Sequence, residues 1–224
     1  KVEAAFSDKY TAVISTSIQF YDNTAHNYMR GICEDLEMKY IEGISFYILD
    51  LMKEDKRNDL ILFFKNLLRI KEENLPTSRL FTPITSREFN YIPTPEQGKI
   101  STDKKILVLT DQNESRSNLS KMITRFTGCF TEIPDIIDLN KIHIKGACLG
   151  CMKCGYDYNC HYNDGFREFY NNRVRRADIL VLAGTMNGRY LSSLWKIFFD
   201  RAFFWNHTPS LLRKQIAYII SGPI

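Results

Sequence analysis

Four of the chain's six cysteines, Cys148, Cys151, Cys154 and Cys160, fall in one short run spaced C-x2-C-x2-C-x5-C. A run this compact can aim four sulfurs at one small object. Iron–sulfur clusters are held by four thiolates, and ferredoxin-type runs use C-x2-C-x2-C with a further Cys nearby. In two-cluster ferredoxins that further Cys serves the other cluster, but here no second set competes for Cys160. Structural zinc draws two ligand pairs from separated places, so three cysteines at two-residue intervals suit a [4Fe-4S] cubane better. Zinc, and thiols that hold no metal, stay open as alternatives. His161 reads either as a stand-in ligand or, more blandly, as a surface loop residue. Disulfides do not suit a reducing compartment.

Composition narrows the partners. The chain has 224 residues, 44% of them hydrophobic and 25% charged, enough for a real core. A net charge of +4, spread over mixed acids and bases, is too mild to argue for nucleic acid. No apolar run is long enough to span a membrane and no signal peptide is evident, so the expected location is the cytoplasm.

The remaining sequence must position the sulfurs. Residues 10–15 read as a buried strand, 24–36 as a helix with Cys33 on its apolar face and His26 on its surface, 38–48 as a second strand and 56–72 as a helix. Pro76, Pro83, Pro93 and Pro95 break the pattern over 76–102, which reads as a linker pinned by Phe81, Phe89 and Tyr91. A new α/β alternation follows: strand 104–110, polar turn 111–118, helix 119–129, strand 134–139, the cysteine loop, helix 164–176, strand 177–183, loop 184–189, helix 190–204 and strand 215–220. The strands at 106–110 and 179–183 are continuous and apolar, as central parallel strands are. Strands alternating with helices imply a doubly wound parallel sheet. Ligands of such sheets sit outside the carboxyl ends of the strands. The loops at 110–118, 183–190 and 221–223, and the cysteine loop, are therefore expected on that one edge.

Two stretches carry a resemblance. Gly146, Cys148, Gly150, Cys151, Cys154, Cys160 and Asp164 form a compact cysteine motif, and Ala177-Asp178 followed by Ser192-Ser193-Leu194-Trp195-Lys196 and Asp200-Arg201 forms a strand-loop-helix signature. Together with the position of Asn118, these make residues 104–224 similar to the flavodoxin-like iron–sulfur flavoproteins, relatives of the NAD(P)H-dependent FMN reductases. The resemblance implies a three-layer α/β/α fold and an FMN-dependent oxidoreductase or electron carrier. It implies FMN phosphate on Asp111, Gln112, Ser115, Ser117 and Asn118. The flavin ring would lie against Gly184, Thr185, Met186, Asn187, Gly188, Tyr190, Ser221 and Gly222. It also implies NAD(P)H or a ferredoxin-type protein as electron donor, and a homo-oligomer in which flavin and cluster meet across subunits.

The chain departs from that family at both flavin loops. The first loop brings Glu114, an acid that repels phosphate unless it points away, and Leu119 where the family has a threonine. The second, Thr185-Met186-Asn187-Gly188, lacks the family's proline and aromatic. A different class of protein therefore stands as the alternative: a binding or scaffold module that has lost FMN and holds zinc or no metal. Residues 1–75 are similar to the C-terminal half of a flavodoxin-like domain, and residues 103–224 to the N-terminal half. The sequence, which opens on Lys1, is thus read either as a piece of a longer tandem protein or as two halves that pair in a permuted fold. Smaller readings concern Asp200-Arg201 (a ligand contact or, more blandly, an ion pair at the helix end), Phe203, Phe204, Trp205 and His207 (an aromatic cover for flavin, an interface or a loop packed on its own sheet), and Tyr156 and Tyr158 (shields for the cysteine site, or exposed).

Overall fold

The computed structural model describes residues 3–17, 22–85, 89–95, 98–112, 117–205 and 208–222. The chain forms two compact units, Lys1–Thr85 and Ser86–Ile224. The boundary falls inside the proline-rich stretch, yet that stretch is no free tether. Its first part docks on unit 1, where the backbone N–H groups of Leu80 and Phe81 donate to Glu34. Its second part docks on unit 2, where Phe89 and Tyr91 bind Asn118.

Unit 1 has two parallel strands, β1 (Tyr10–Ser17) and β2 (Lys39–Tyr47), with a bulge between Thr11 and Val13. Helix α1 (Asp22–Asp35) packs on both strands and α2 (Glu54–Glu72) on β2. Its buried apolar residues are few: Cys33, Tyr40, Phe46 and Phe63. The buried Glu34 carboxylate accepts from Arg30 Nε at 2.6 Å and from the N–H groups of Leu80 and Phe81 at 2.9 and 2.8 Å. His26 differs from the surface residue the helical spacing suggests. It is half-buried, with Nε2 2.8 Å from Ser15 Oγ, near an Asp22 carboxylate that accepts from Ser17 and Ser45.

Unit 2 has the flavodoxin-like doubly wound fold. Its mostly parallel five-stranded sheet runs in the order β4 (Asp135–Asp138), β3 (Ile106–Thr110), β5 (Ile179–Asn187), β7 (Gln215–Ser221). A short β6 (Tyr190–Leu191) pairs antiparallel with the far end of β5. Successive side chains of a strand point to opposite faces, and the core divides accordingly. Leu107, Leu109, Leu180 and Leu182 pack beneath Phe166, Phe169, Tyr170, Trp195 and Phe198. Ile106, Val108, Val181 and Ala183 pack beneath Leu119 and Ile123. Helix α3 (Asn118–Thr127) thus covers one face. The other is covered by α4 (Phe166–Phe169, continuing as a π-helical turn over Tyr170–Val174) and α5 (Ser193–Ala202). Each fully buried Leu or Phe contributes about 1.5–3 kcal/mol. The layer is therefore continuous from β4 to β5, while Ile216, Tyr218 and Ile220 on β7 stay exposed.

The expected loop at 184–189 is mostly strand. β5 runs on to Asn187, and only Gly188 and Arg189 make the turn into β6, with Asn187 paired to Tyr190. Gly184 does not end the strand. A Cβ there would lie 2.7 Å from Trp195 Nε1 and 2.8 Å from Leu191 Cδ2, so its missing side chain lets α5 approach. No helix among the described residues is long and apolar enough to cross a membrane.

Candidate functional site

The cysteine loop follows a single 3-10 turn, Leu139–Lys141, and folds back on α5. Three of its residues adopt positive φ: Gly150 (64°), Met152 (58°) and Tyr158 (56°). Tyr158 closes the single helical turn Cys154–Asp157 by donating its N–H to Cys154 O at 3.0 Å. These reversals wrap the backbone around a small cavity of about 30 Å3. Cys148, Cys151, Cys154 and Cys160 all border it, with His161, Tyr162, Arg201, Phe203 and Phe204. Cys148 and Cys151 are exposed, and Cys154 and Cys160 half-buried. Gly150 N–H lies 3.5 Å from Cys148 Sγ.

Burial pushes the Cys154 thiol up, and the charges of Cys148, Cys160 and Cys151 around it push the same way. Four neighbouring thiolates therefore repel one another unless positive charge is placed among them, which is what a metal or cluster supplies as it displaces the protons. The donor set fits a soft, sulfur-loving group. Among the described residues no group of three or more His, Cys, Asp or Glu side chains is positioned to hold a metal ion.

The loop hangs on one buried ion pair. Arg201, at the end of α5, donates from Nη1 and Nη2 to the two Asp164 oxygens at 2.9 and 2.8 Å, and from Nη1 to Gly146 O at 2.9 Å. Both side chains have no exposed surface. Asp164 also accepts from the backbone of Lys145 at 3.0 Å and of Phe166 at 3.2 Å, so it ties the two ends of the loop together. Burial alone would raise the Asp164 carboxyl, but the bonds from Arg201, Lys145 and Phe166 outweigh it and hold it below its ordinary value. The guanidinium lies over the rings of Tyr162 and Phe166, 4.6 and 5.1 Å from their centres. Asp200 and Arg201 do not pair with each other. Adjacent helical residues face different ways, and Asp200 takes Lys196 instead.

A second pocket, of about 400 Å3, opens at the carboxyl ends of β3, β5 and β7. Asp111, Gln112, Ser117, Asn118, Thr185, Asn187 and Ser221 line it together with Leu119 and Ser192. That volume lies within the range of small-molecule sites. Asp111 Oδ1 and Thr185 Oγ1 are buried without hydrogen-bond partners among the described residues, and polar atoms in that state are costly unless a ligand or water meets them. Ser117 caps α3, accepting from Ser120 N at 3.1 Å, and also accepts from Gln112 Nε2. Asn118 is already engaged: its Oδ1 accepts from Tyr91 N at 2.8 Å and its Nδ2 donates to Phe89 O. Ser192 donates to Asp111 Oδ2.

The structure thus gathers the four cysteines in one place and seven of the flavin-loop residues in another. Ser115 lies outside the described residues, as do Glu114 and His207. Gly184 faces Trp195, and Met186 packs against Gly222, where a Cβ would lie 2.7 Å from Met186 Cβ. Gly188 and Tyr190 belong to the hairpin turn and β6. These five do not border the pocket. The two pockets are also not neighbours on one edge. Ser192, the residue before α5, borders the strand-end pocket, and Arg201 borders the cysteine pocket. They are separated by about 14 Å along the helix axis.

Sequence reasoning named Arg201 as an ion-pair residue but not its partner Asp164, and it missed Tyr162 and the place of Phe203 and Phe204 beside the cysteine cavity. Tyr156 is 92% exposed and shields nothing, while Tyr158 packs on Trp205 at 5.4 Å. Leu119 and Ser192 were also absent from the expected flavin set. No family model matches this chain, and no curated protein or solved structure matches it.

Proposed function

We propose that unit 2 is an electron-transfer module of an FMN-dependent oxidoreductase, with a [4Fe-4S] cluster on Cys148, Cys151, Cys154 and Cys160 and FMN in the strand-end pocket. The observation that carries this reading is the ring of four thiols around one cavity, built on a loop that a buried ion pair fixes in place. The cluster would supply one-electron chemistry, and FMN the conversion between one- and two-electron steps. The chain's own residues bind and orient. Ser117 and the first N–H groups of α3 offer an anion site. The orphaned Thr185 Oγ1 offers a polar contact to a ring. Asp164 and Arg201 hold the loop in place, and the buried Phe204 walls one side of the cavity, while Cys148 and Cys151 stay exposed.

Electrons would come from NAD(P)H or a ferredoxin-type donor, in the cytoplasm. The family resemblance suggests a homo-oligomer in which the flavin of one subunit meets the cluster of another.

Two observations favour the alternative, a scaffold without FMN. The Asp111 carboxylate faces the place of the phosphate, and the Asn118 amide is taken by the 89–91 strap. The test is anaerobic reconstitution with iron and sulfide, followed by titration with FMN. The redox reading expects flavin fluorescence to be quenched at one FMN per chain, and dithionite to bleach both chromophores. Unquenched flavin would leave only the scaffold.

A further inference from the structure

Arg201 carries a donor that makes no full hydrogen bond among the described residues. Its Nη1 and Nη2 are engaged by Gly146 and Asp164, while the buried Nε has no partner at hydrogen-bond geometry, and the Cys160 thiol lies close enough to act on the guanidinium. Asp164 cannot take it, since its oxygens already accept from both terminal nitrogens and from two backbone N–H groups. The side chain borders the cysteine cavity. Burial acts against its charge, yet the bonds to Asp164 and the charge of the nearby Cys160 sulfur outweigh that and hold the guanidinium above its ordinary value. A buried donor left unmatched is unfavourable. A neutral thiol is a weak acceptor, whereas a ligated thiolate carries negative charge and accepts well.

We infer that Arg201 donates its Nε–H to the Cys160 sulfur once that sulfur is a cluster ligand, and so raises the reduction potential of the cluster. The inference rests on the cluster reading proposed above. Hydrogen bonds to the sulfurs and nearby charge are among the factors that set such potentials. Reduction adds negative charge, so a fixed donor and cation stabilise the reduced state more than the oxidised one. The Asp164 carboxylate acts in the opposite sense. Arg201 is therefore a positioning residue for the loop and a tuning residue for the cluster, and only the second role moves a potential.

The experiment begins with iron and sulfide analysis of the reconstituted wild-type chain. Absence of iron overturns the cluster reading itself, before any potential is measured. With the cluster present, the midpoint potential is read by dithionite titration in wild type, Arg201→Lys and Asp164→Asn. Lysine keeps the charge but not the planar fork. Arg201→Lys is expected to lower the midpoint and Asp164→Asn to raise it. An unchanged midpoint in Arg201→Lys, or shifts of the same sign in both, overturns the inference. If either variant fails to fold, the wild-type chain labelled with 15N in arginine alone decides. Electron–nuclear double resonance of the reduced cluster is expected to show a coupled arginine nitrogen, and its absence overturns the inference.

Discussion

The cysteine pocket and the strand-end pocket belong to the same unit and lie at opposite ends of α5, yet their walls are finished differently. Around the cysteines the protein's polar groups are matched almost completely: Asp164 has four donors and Arg201 uses both terminal nitrogens. What is left unmatched there is sulfur and one Nε. Around the strand ends Asp111 Oδ1 and Thr185 Oγ1 have no partners among the described residues. The ion pair that supports the cysteine loop is therefore complete before anything binds, while among the described residues the sulfurs are not yet positioned for a metal, and the strand-end pocket keeps polar atoms for a ligand to meet. The difference implies that loss of a cysteine and loss of the ion pair should separate cleanly from changes at the strand-end pocket.

The largest expected effect follows from removing two ligands. Cys154→Ala with Cys160→Ala should reduce bound iron from about four per chain to almost none, while FMN binding is unchanged. Parallel loss of FMN would mean the two pockets are not independent. Next comes Arg201→Met, which leaves the Asp164 charge buried and unpaired. Chemical denaturation of the whole chain should show a loss of about 3–5 kcal/mol. A loss below about 1 kcal/mol, the usual value of an exposed pair, would show that the ion pair does not hold the loop.

Acid should act on both units. The Asp164 carboxyl is held low by Arg201 and two backbone N–H groups against the pull of burial. Glu34 is likewise held low by Arg30, Leu80 and Phe81 against burial. A carboxylate whose folded value lies below its unfolded value stabilises fully above the unfolded value, and loses that stabilisation as pH falls through the folded one. Stability should therefore be level near neutrality and fall below about pH 4, where unfolded carboxyls begin to take protons. A fall beginning near pH 6 would implicate histidine instead. The smallest effect is at the strand-end pocket: Asp111→Asn removes a negative charge beside the expected phosphate and should tighten FMN about tenfold, or about 1.4 kcal/mol. Weaker binding in a fluorescence titration would place the phosphate elsewhere.

Much of the fold was legible because its signals are local. The continuous apolar runs at 106–110 and 179–183 became the central strands, and the polar residues after them became the lining of the strand-end pocket. Gly184 misled because glycine commonly punctuates a strand, whereas here it admits Trp195. The cysteines were legible as a set through their spacing. Their support was not, since Arg201 lies 37 residues from Asp164 and 55 from Gly146. Glu34 was hidden for the same reason: two of its partners come from a proline-rich stretch more than 40 residues away that reads as a linker. The placement of the cysteine pocket at the far end of α5 was likewise a tertiary fact, set by where Asp164 finds its arginine.

The central claim is that the four sulfurs hold an iron–sulfur cluster. The most direct measurement counts iron, acid-labile sulfide and zinc in anaerobically purified protein and records its visible spectrum. The account predicts about four irons and as many sulfides per chain, little zinc, and broad visible absorbance. One zinc per chain, or no metal in a colourless protein that also ignores added FMN, would contradict it and leave a scaffold.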